Sequence, residues 1–184
     1  MNVIKTPFEG LLILEPRVFP DDRGYFYESY NARTIEAVTG SKFNFVQDNQ
    51  ARSVKNVLRG LHYQTEPSPQ TKLVRALEGV IWDVVVDLRK DQPTYGQWFG
   101  VELSAENKRQ FLVPVGFAHG YAVLSDTAEV FYKCDNFYDK SAEGGVLYND
   151  PALNIDWKLN LKDAIVSEKD LVQPLLKDNT ANFR

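Results

Sequence analysis

The chain is poor in the residues on which soft-metal and redox chemistry depends. Among 184 residues there is one cysteine, Cys134, and there are two histidines, His62 and His119. A lone cysteine forms no internal disulfide and builds no zinc-type cysteine cluster. Long hydrophobic runs are missing too. The most apolar stretch, "GVIWDVVVDL", is too short to span a bilayer and carries Asp83 and Asp87. The N-terminus "MNVIKTPFEG" lacks the apolar core of a secretory signal. There is no excess of positive charge either. A formal net charge of −4 argues against a nucleic-acid or anionic-membrane binder, while leaving room for a local basic pocket around a small anionic ligand. The expectation is a soluble, cytoplasmic protein forming a single domain over residues 1–184, long enough to bury a sizeable core.

What is present is mostly strand. "GLLILEPRVF" is β-rich and ends in the turn signal "PDDRG"; "YFYESY" follows with aromatics at strand spacing. "NARTIEAVTG" predicts one short helix, with Asn31 as N-cap and Gly40 as stop. From "FNFVQDNQARS" to "AEVFYKCDNFY", β-rich runs alternate with turn residues at short intervals. That spacing predicts a mainly β fold, a sandwich or jelly roll, not alternating βα units. Beyond about Lys140 the pattern loosens, and "EGGVLYNDPALNIDW" reads as loop. "SEKDLVQPLL" opens a short C-terminal helix, with Ser167 as N-cap and Asp170 in its first turn.

Strand side chains alternate between faces. In "VLRGLHYQ" alternation groups Leu58, Gly60, His62 and Gln64 on one face, and Val57, Arg59, Leu61 and Tyr63 on the other. Lys72 shares a face with Val74 and Ala76, and Tyr132 with Val130 and Cys134. A barrel mouth lined this way brings a base, a cation and an acid together. Each residue also has a plainer role, as a hydrogen-bonded core histidine, a core tyrosine or a lysine reaching to solvent. The functional reading rests on their joint occurrence. Asp83, beside Trp82 and Val84, needs a partner if buried, because an unpaired carboxylate in a core is costly.

"PVGFAHG" holds Pro114, Gly116 and His119, an arrangement that resembles the second motif of the cupin superfamily of small β-barrels. Many cupins bind a metal through three histidines and a glutamate. Here the first-motif position reads His62-Tyr63-Gln64, so that ligand set cannot be assembled from two histidines. A two-histidine, one-carboxylate site is formally open, but the spacing does not suggest it. Chemistry by side chains alone is the expectation.

"RGLHYQ", "GFAHG", "EVFYKCDNFY" and "SEKD", in that order, resemble the dTDP-4-dehydrorhamnose 3,5-epimerase family. The likeness runs from "DDRGYFYE" to "SEKDL", and no position used below departs from the family pattern. The resemblance implies a cupin-type jelly-roll β-barrel and epimerisation at C3 and C5 of dTDP-4-dehydro-6-deoxy-D-glucose, on the route to dTDP-L-rhamnose, with no metal or organic cofactor. It implies His62 as general base with Asp170 behind it, Tyr132 as acid, and Lys72 as the cation at the developing oxyanion. Substrate contacts fall on Arg23, Glu28, Gln47, Asn49, Arg59, His119, Glu143 and Lys169, and thymine stacking on Tyr138. A homodimer is implied, its N-terminal strand exchanged so that Arg23 and Glu28 serve the partner's site.

The chemistry suits these residue types. C3 and C5 flank the C4 ketone, so losing either proton makes an enolate. A neutral imidazole is matched to that proton, and a fixed lysine to the charge on O4. Inversion needs a second donor on the opposite face, which a phenol supplies at neutral pH. Arginine suits the diphosphate. Alternation sets Arg59 and His62 on opposite faces, so for both to touch one substrate, either the ligand spans an edge or Gly60 marks a bulge. Rival readings are an epimerase acting at C3 or C5 only, a non-catalytic sugar-nucleotide-binding cupin, and a metal-dependent cupin.

Overall fold

The computed structural model describes residues 1–184. Strands β1 (Asn2–Lys5) and β2 (Leu12–Glu15) lead into a short hairpin, β3 (Phe19–Asp21) and β4 (Gly24–Phe26), then helix α1 (Ala32–Thr39). Next come β5 (Gln47–Val54), β6 (Val57–Gln64), β7 (Lys72–Glu78) and β8 (Val80–Asp87). They are followed by β9 (Trp98–Ser104), β10 (Gln110–Val113), β11 (Phe117–Val123) and β12 (Thr127–Cys134). The C-terminal stretch holds β13 (Glu143–Gly145), β14 (Ile165–Val166) and the one-turn helix α2 (Glu168–Leu171). No helix is long and apolar enough to cross a membrane.

Both helices begin at the predicted caps. The Asn31 side chain accepts from the N–H groups of Arg33 and Thr34, and Gly40 closes α1 in the left-handed conformation. Ser167 accepts from the N–H of Asp170, which fixes where the C-terminal chain turns. The loop expected over "EGGVLYNDPALNIDW" is partly strand. Glu143, Gly144 and Gly145 pair with Gln64, Tyr63 and His62. Two glycines carry no strand preference of their own, so the free edge of β6 decides that pairing.

Two sheets face each other. One has the strand order β1-β2-β10-β7-β12-β5, the other β13-β6-β11-β8-β9, with β14 added in parallel to β6. This is the mainly β architecture that the strand spacing predicts and the cupin-like jelly roll that the resemblance implies, built as facing sheets that do not close into a hydrogen-bonded barrel. Alternation fills the space between them. Val74 and Ala76 of β7, Phe117, Tyr121 and Val123 of β11, and Ala128 and Val130 of β12 belong to one inter-sheet core. Burying each Val, Leu or Phe there contributes about 1.5–3 kcal/mol. The outer face of the β6 sheet is covered by the C-terminal segment through Val146, Tyr148, Leu153 and Trp157. Ile35 of α1 packs on Leu14, Leu73 and Leu112 across the back of the other sheet.

Simple alternation fails in β6. Leu58, Leu61 and Tyr63 all point to the outer core, whereas Arg59 and His62 both line the inner cleft. The register explains this. His119 pairs with His62 and Tyr121 with Arg59, so two residues of β6, Gly60 and Leu61, oppose the single Gly120 of β11. Gly60 is therefore the bulge that puts Arg59 and His62 on one face. Its φ of 123° suits glycine, and a Cβ there would lie 2.5 Å from Gly120 Cα. The grouping of Leu58, Gly60, His62 and Gln64 on one face does not survive this bulge.

Candidate active site

The cleft opens between the two sheets and has two lobes. The larger, about 520 Å³, is lined by Arg59, His119, Lys169 and Asp170. The smaller, about 310 Å³, is lined by Gln47, Asn49, Tyr138 and Glu143. His62, Lys72 and Tyr132 line both. Eleven of the thirteen residues singled out by the sequence thus meet in one place. They come from β5, β6, β7, β11, β12, β13 and α2, and from the loop after β12.

His62 projects from β6 and is 29% exposed; Asp170 behind it is 3% exposed. His62 Nε2 lies 2.6 Å from Asp170 Oδ1, and the N–H of Gly60 donates to Asp170 Oδ2 at 3.3 Å. Burial works against the Asp170 carboxylate. The His62 bond and charge outweigh it, helped by the Gly60 and Ser167 bonds, and hold its pKa below the ordinary value. With the carboxylate accepting at Nε2, the imidazole keeps its lone pair on Nδ1.

Tyr132 stands on β12, in the opposite sheet. Burial, reinforced by Cys134 and Tyr121, pushes its phenol up to about 12, with Arg59 pulling the other way. Lys72, on β7 beside β12, is pulled down by burial, while Cys134, Asp83 and Glu143 favour its charge. Burial likewise pushes the Cys134 thiol up against the pull of Lys72.

His119 pairs through Nε2 with Asp83 Oδ1 at 2.8 Å, both buried. The carboxylate that needed a partner has one, although Oδ2 has none, and burial keeps the Asp83 pKa raised. At the rim of the smaller lobe, Glu143 accepts from Lys169 Nζ and from the Tyr138 hydroxyl. Burial opposes the Glu143 charge, but these two neighbours hold its pKa below normal. Gln47 Oε1 accepts from the N–H of Tyr138 at 2.9 Å, and Gln47 Nε2 donates to Asn49 Oδ1 at 3.1 Å. No group of three or more His, Cys, Asp and Glu side chains converges in a way that could hold a metal ion.

Arg23 and Glu28 are not in the cleft of their own chain. Arg23 is 90% exposed and clasps Asp21, with Nη2 to Oδ2 at 2.6 Å. Glu28 accepts from Asn31 Nδ2. The β3–β4 hairpin pairs with neither large sheet, and it exposes Phe19, Tyr25 and Phe26. Conversely, Tyr121 lines the larger lobe without having been singled out. The available signal was parity, since Tyr121 lies two residues beyond His119 on the same strand.

The family model described as dTDP-4-dehydrorhamnose 3,5-epimerase matches residues 5–178. The protein of that name from Shigella flexneri is 54% identical over 171 residues, covering 93% of each chain. The crystal structure of dTDP-4-dehydrorhamnose 3,5-epimerase from Elizabethkingia anophelis superposes with a TM-score of 0.93 at 56% identity, covering 97% of each chain. The Legionella pneumophila dTDP-6-deoxy-D-glucose-3,5-epimerase, solved in complex with dTDP-4-keto-L-rhamnose, gives a TM-score of 0.94 at 46% identity, covering 100% of this chain and 98% of the other. With this cleft and a match across nearly its whole length, the chain belongs to the dTDP-4-dehydrorhamnose 3,5-epimerase family.

Proposed function

We propose that the protein inverts C3 and C5 of dTDP-4-dehydro-6-deoxy-D-glucose to give dTDP-4-dehydro-6-deoxy-L-mannose, by proton removal and return. One observation carries the reading at the level of residues. A histidine–aspartate pair on one sheet faces a tyrosine on the other, across a cleft that also holds a buried lysine. A sugar ring between the sheets meets a base on one face and an acid on the other. His62 Nδ1 takes the proton beside the ketone, and Asp170 stabilises the imidazolium. Lys72 stands where charge builds on O4, a position typically worth about 10²–10³ in rate. Tyr132, protonated at neutral pH, delivers a proton from the far face, so the carbon inverts. The same steps at the second carbon complete the reaction.

Substrate binding divides between the lobes. Arg59, His119 and Lys169 supply donors in the larger lobe, where bidentate arginine suits diphosphate oxygens. Gln47, Asn49, Glu143 and the Tyr138 ring serve the smaller. We take residues 1–184 as one epimerase domain that works in the cytoplasm as a homodimer. The projecting β3–β4 hairpin supports exchange between subunits, because it carries Arg23 away from its own cleft and leaves Phe19, Tyr25 and Phe26 to be covered.

Solvent-deuterium uptake into dTDP-4-dehydro-6-deoxy-D-glucose, followed by NMR, tests the reading. Uptake at C3 and C5, lost in His62→Ala, is the expected result. Uptake at one carbon would mean a single-site epimerase. Tight binding with no uptake would mean a binding protein.

A further inference from the structure

Tyr138 stands on the loop after β12 and is 54% exposed; Phe137 before it is 64% exposed. A loop with so little side-chain packing is ordinarily mobile. Here its main chain is tied residue by residue. Gln70 Nε2 donates to the carbonyl of Asn136 at 2.9 Å, and Gln64 Nε2 to that of Phe137 at 3.2 Å. The N–H of Tyr138 donates to Gln47 Oε1 at 2.9 Å, and that of Asp139 to Gln64 Oε1 at 2.9 Å. Three glutamine side chains thus hold four consecutive residues.

Gln64 supplies most of this grip. It ends β6, two residues beyond His62, is 5% exposed, and lines the smaller lobe. Besides Phe137 and Asp139 it reaches the carbonyl of Ser68. Its amide oxygen meets one main-chain N–H and its amide nitrogen two carbonyls, which uses the donors and acceptor of a glutamine fully. Glutamate offers acceptors only and methionine offers no donor, so neither can make this set. Gln47 approaches from β5 in the other sheet, so the loop is pinned to both walls of the cleft. The Tyr138 ring itself has one polar tether, its hydroxyl to Glu143 Oε2 at 3.1 Å. The main chain is fixed while the ring stays open to a ligand.

We propose that Gln64 is a positioning residue for nucleotide binding, holding the backbone of residues 137–139 so that the Tyr138 ring stands ready to stack on the base. This rests on the epimerase reading above, which sets thymine against Tyr138. A loop held in advance spares binding the cost of ordering it. Stacking on the base is made alike in bound substrate and transition state, so losing it raises KM and leaves kcat in place. The Gln64 side chain bonds to none of His62, Asp170 and Tyr132, so its removal leaves the acid–base groups their partners.

Gln64→Met tests this, since it keeps the side-chain length and removes all of these bonds. Titration calorimetry with dTDP and with inorganic diphosphate, beside steady-state kinetics, gives the readout. The Kd for dTDP should rise by about 10–10²-fold. The Kd for diphosphate, which has no base to stack, and kcat should each stay within about 2-fold, while KM rises with the dTDP Kd. In a Tyr138→Ala background the same change should move the dTDP Kd by less than about 2-fold, because no ring is left to position. Gln64→Glu keeps an acceptor for Asp139 but no donor for the carbonyls, and should show the same split. A merely structural role would lower Tm and kcat and weaken both ligands together. Unchanged dTDP affinity, equal weakening of the two ligands, the full effect persisting without the Tyr138 ring, or failure of both variants to fold would each overturn the proposal. A wild type that does not bind dTDP would instead overturn the nucleotide-sugar reading on which it rests.

Discussion

Replacing Asp170 with asparagine preserves shape and removes one charge, yet the surroundings make it a severe change. Asp170 Oδ2 accepts from the N–H of Gly60 and Oδ1 sits 2.6 Å from His62 Nε2. Asparagine has only one acceptor end. The Gly60 donor claims it, which turns the amide NH₂ toward Nε2. His62 must then carry its proton on Nδ1, the atom that should take the substrate proton. Losing a hydrogen bond to a charged group costs about 1.5–3 kcal/mol, or about 10–10² in rate. The wrong tautomer adds to this, toward a total of about 10⁴. Alanine at 170 removes the charge without imposing a tautomer, so the expected order of kcat is wild type, then Asp170→Ala, then Asp170→Asn. Steady-state assay of the three proteins gives the order. Nitrogen-15 NMR gives the tautomer, and with only two histidines the assignment is direct. An Asp170→Asn enzyme keeping more than about a tenth of wild-type kcat, or one clearly faster than Asp170→Ala, would refute the reasoning.

Tyr132→Phe should retain deuterium exchange from the His62 side while inversion falls by about 10²–10⁴; NMR separates washout from inversion, and equal losses of both would count against a two-face mechanism. Gly60→Ala should lower Tm and destroy most activity, because its Cβ meets Gly120 Cα at 2.5 Å at a φ of 123°; a thermal melt with a kcat measurement checks both. Asp87 is buried under Arg89, with contacts of 2.9 and 2.7 Å, and under Thr94 at 2.6 Å. Asp87→Asn should cost about 3–5 kcal/mol, readable by denaturant unfolding. Burial opposes the Asp87 and Asp170 charges, but their bonds hold both carboxyls below the ordinary 3.8. Their stabilisation is present above that value and is lost as pH falls through the lower folded values. Asp83, raised by burial, works in the opposite sense. The Tm of the wild type should therefore fall below about pH 4, and less steeply in Asp87→Asn, whose starting Tm is lower.

Local chemistry made much of this protein legible from its sequence. Asn31, Gly40 and Ser167 mark the helix ends because caps act within three or four residues. Lys72 and Tyr132 face the cleft as alternation on β7 and β12 requires, and the ordered motifs indicate the family. Other features are set by contacts between distant segments. Gly60 and Leu61 oppose the single Gly120, which turns Arg59 onto the face of His62, and no period-2 pattern contains that extra residue. Glu143–Gly145 form a strand only because β6 offers an edge. Asp170 meets His62 across 108 positions of chain, and Asp83 meets His119 across 36. Composition, periodicity and capping act over one strand or one turn, so the elements, most of the faces and the family resemblance can be read along the chain. Register between strands remote in the chain is chosen by the packed core as a whole, and that choice assembled the cleft.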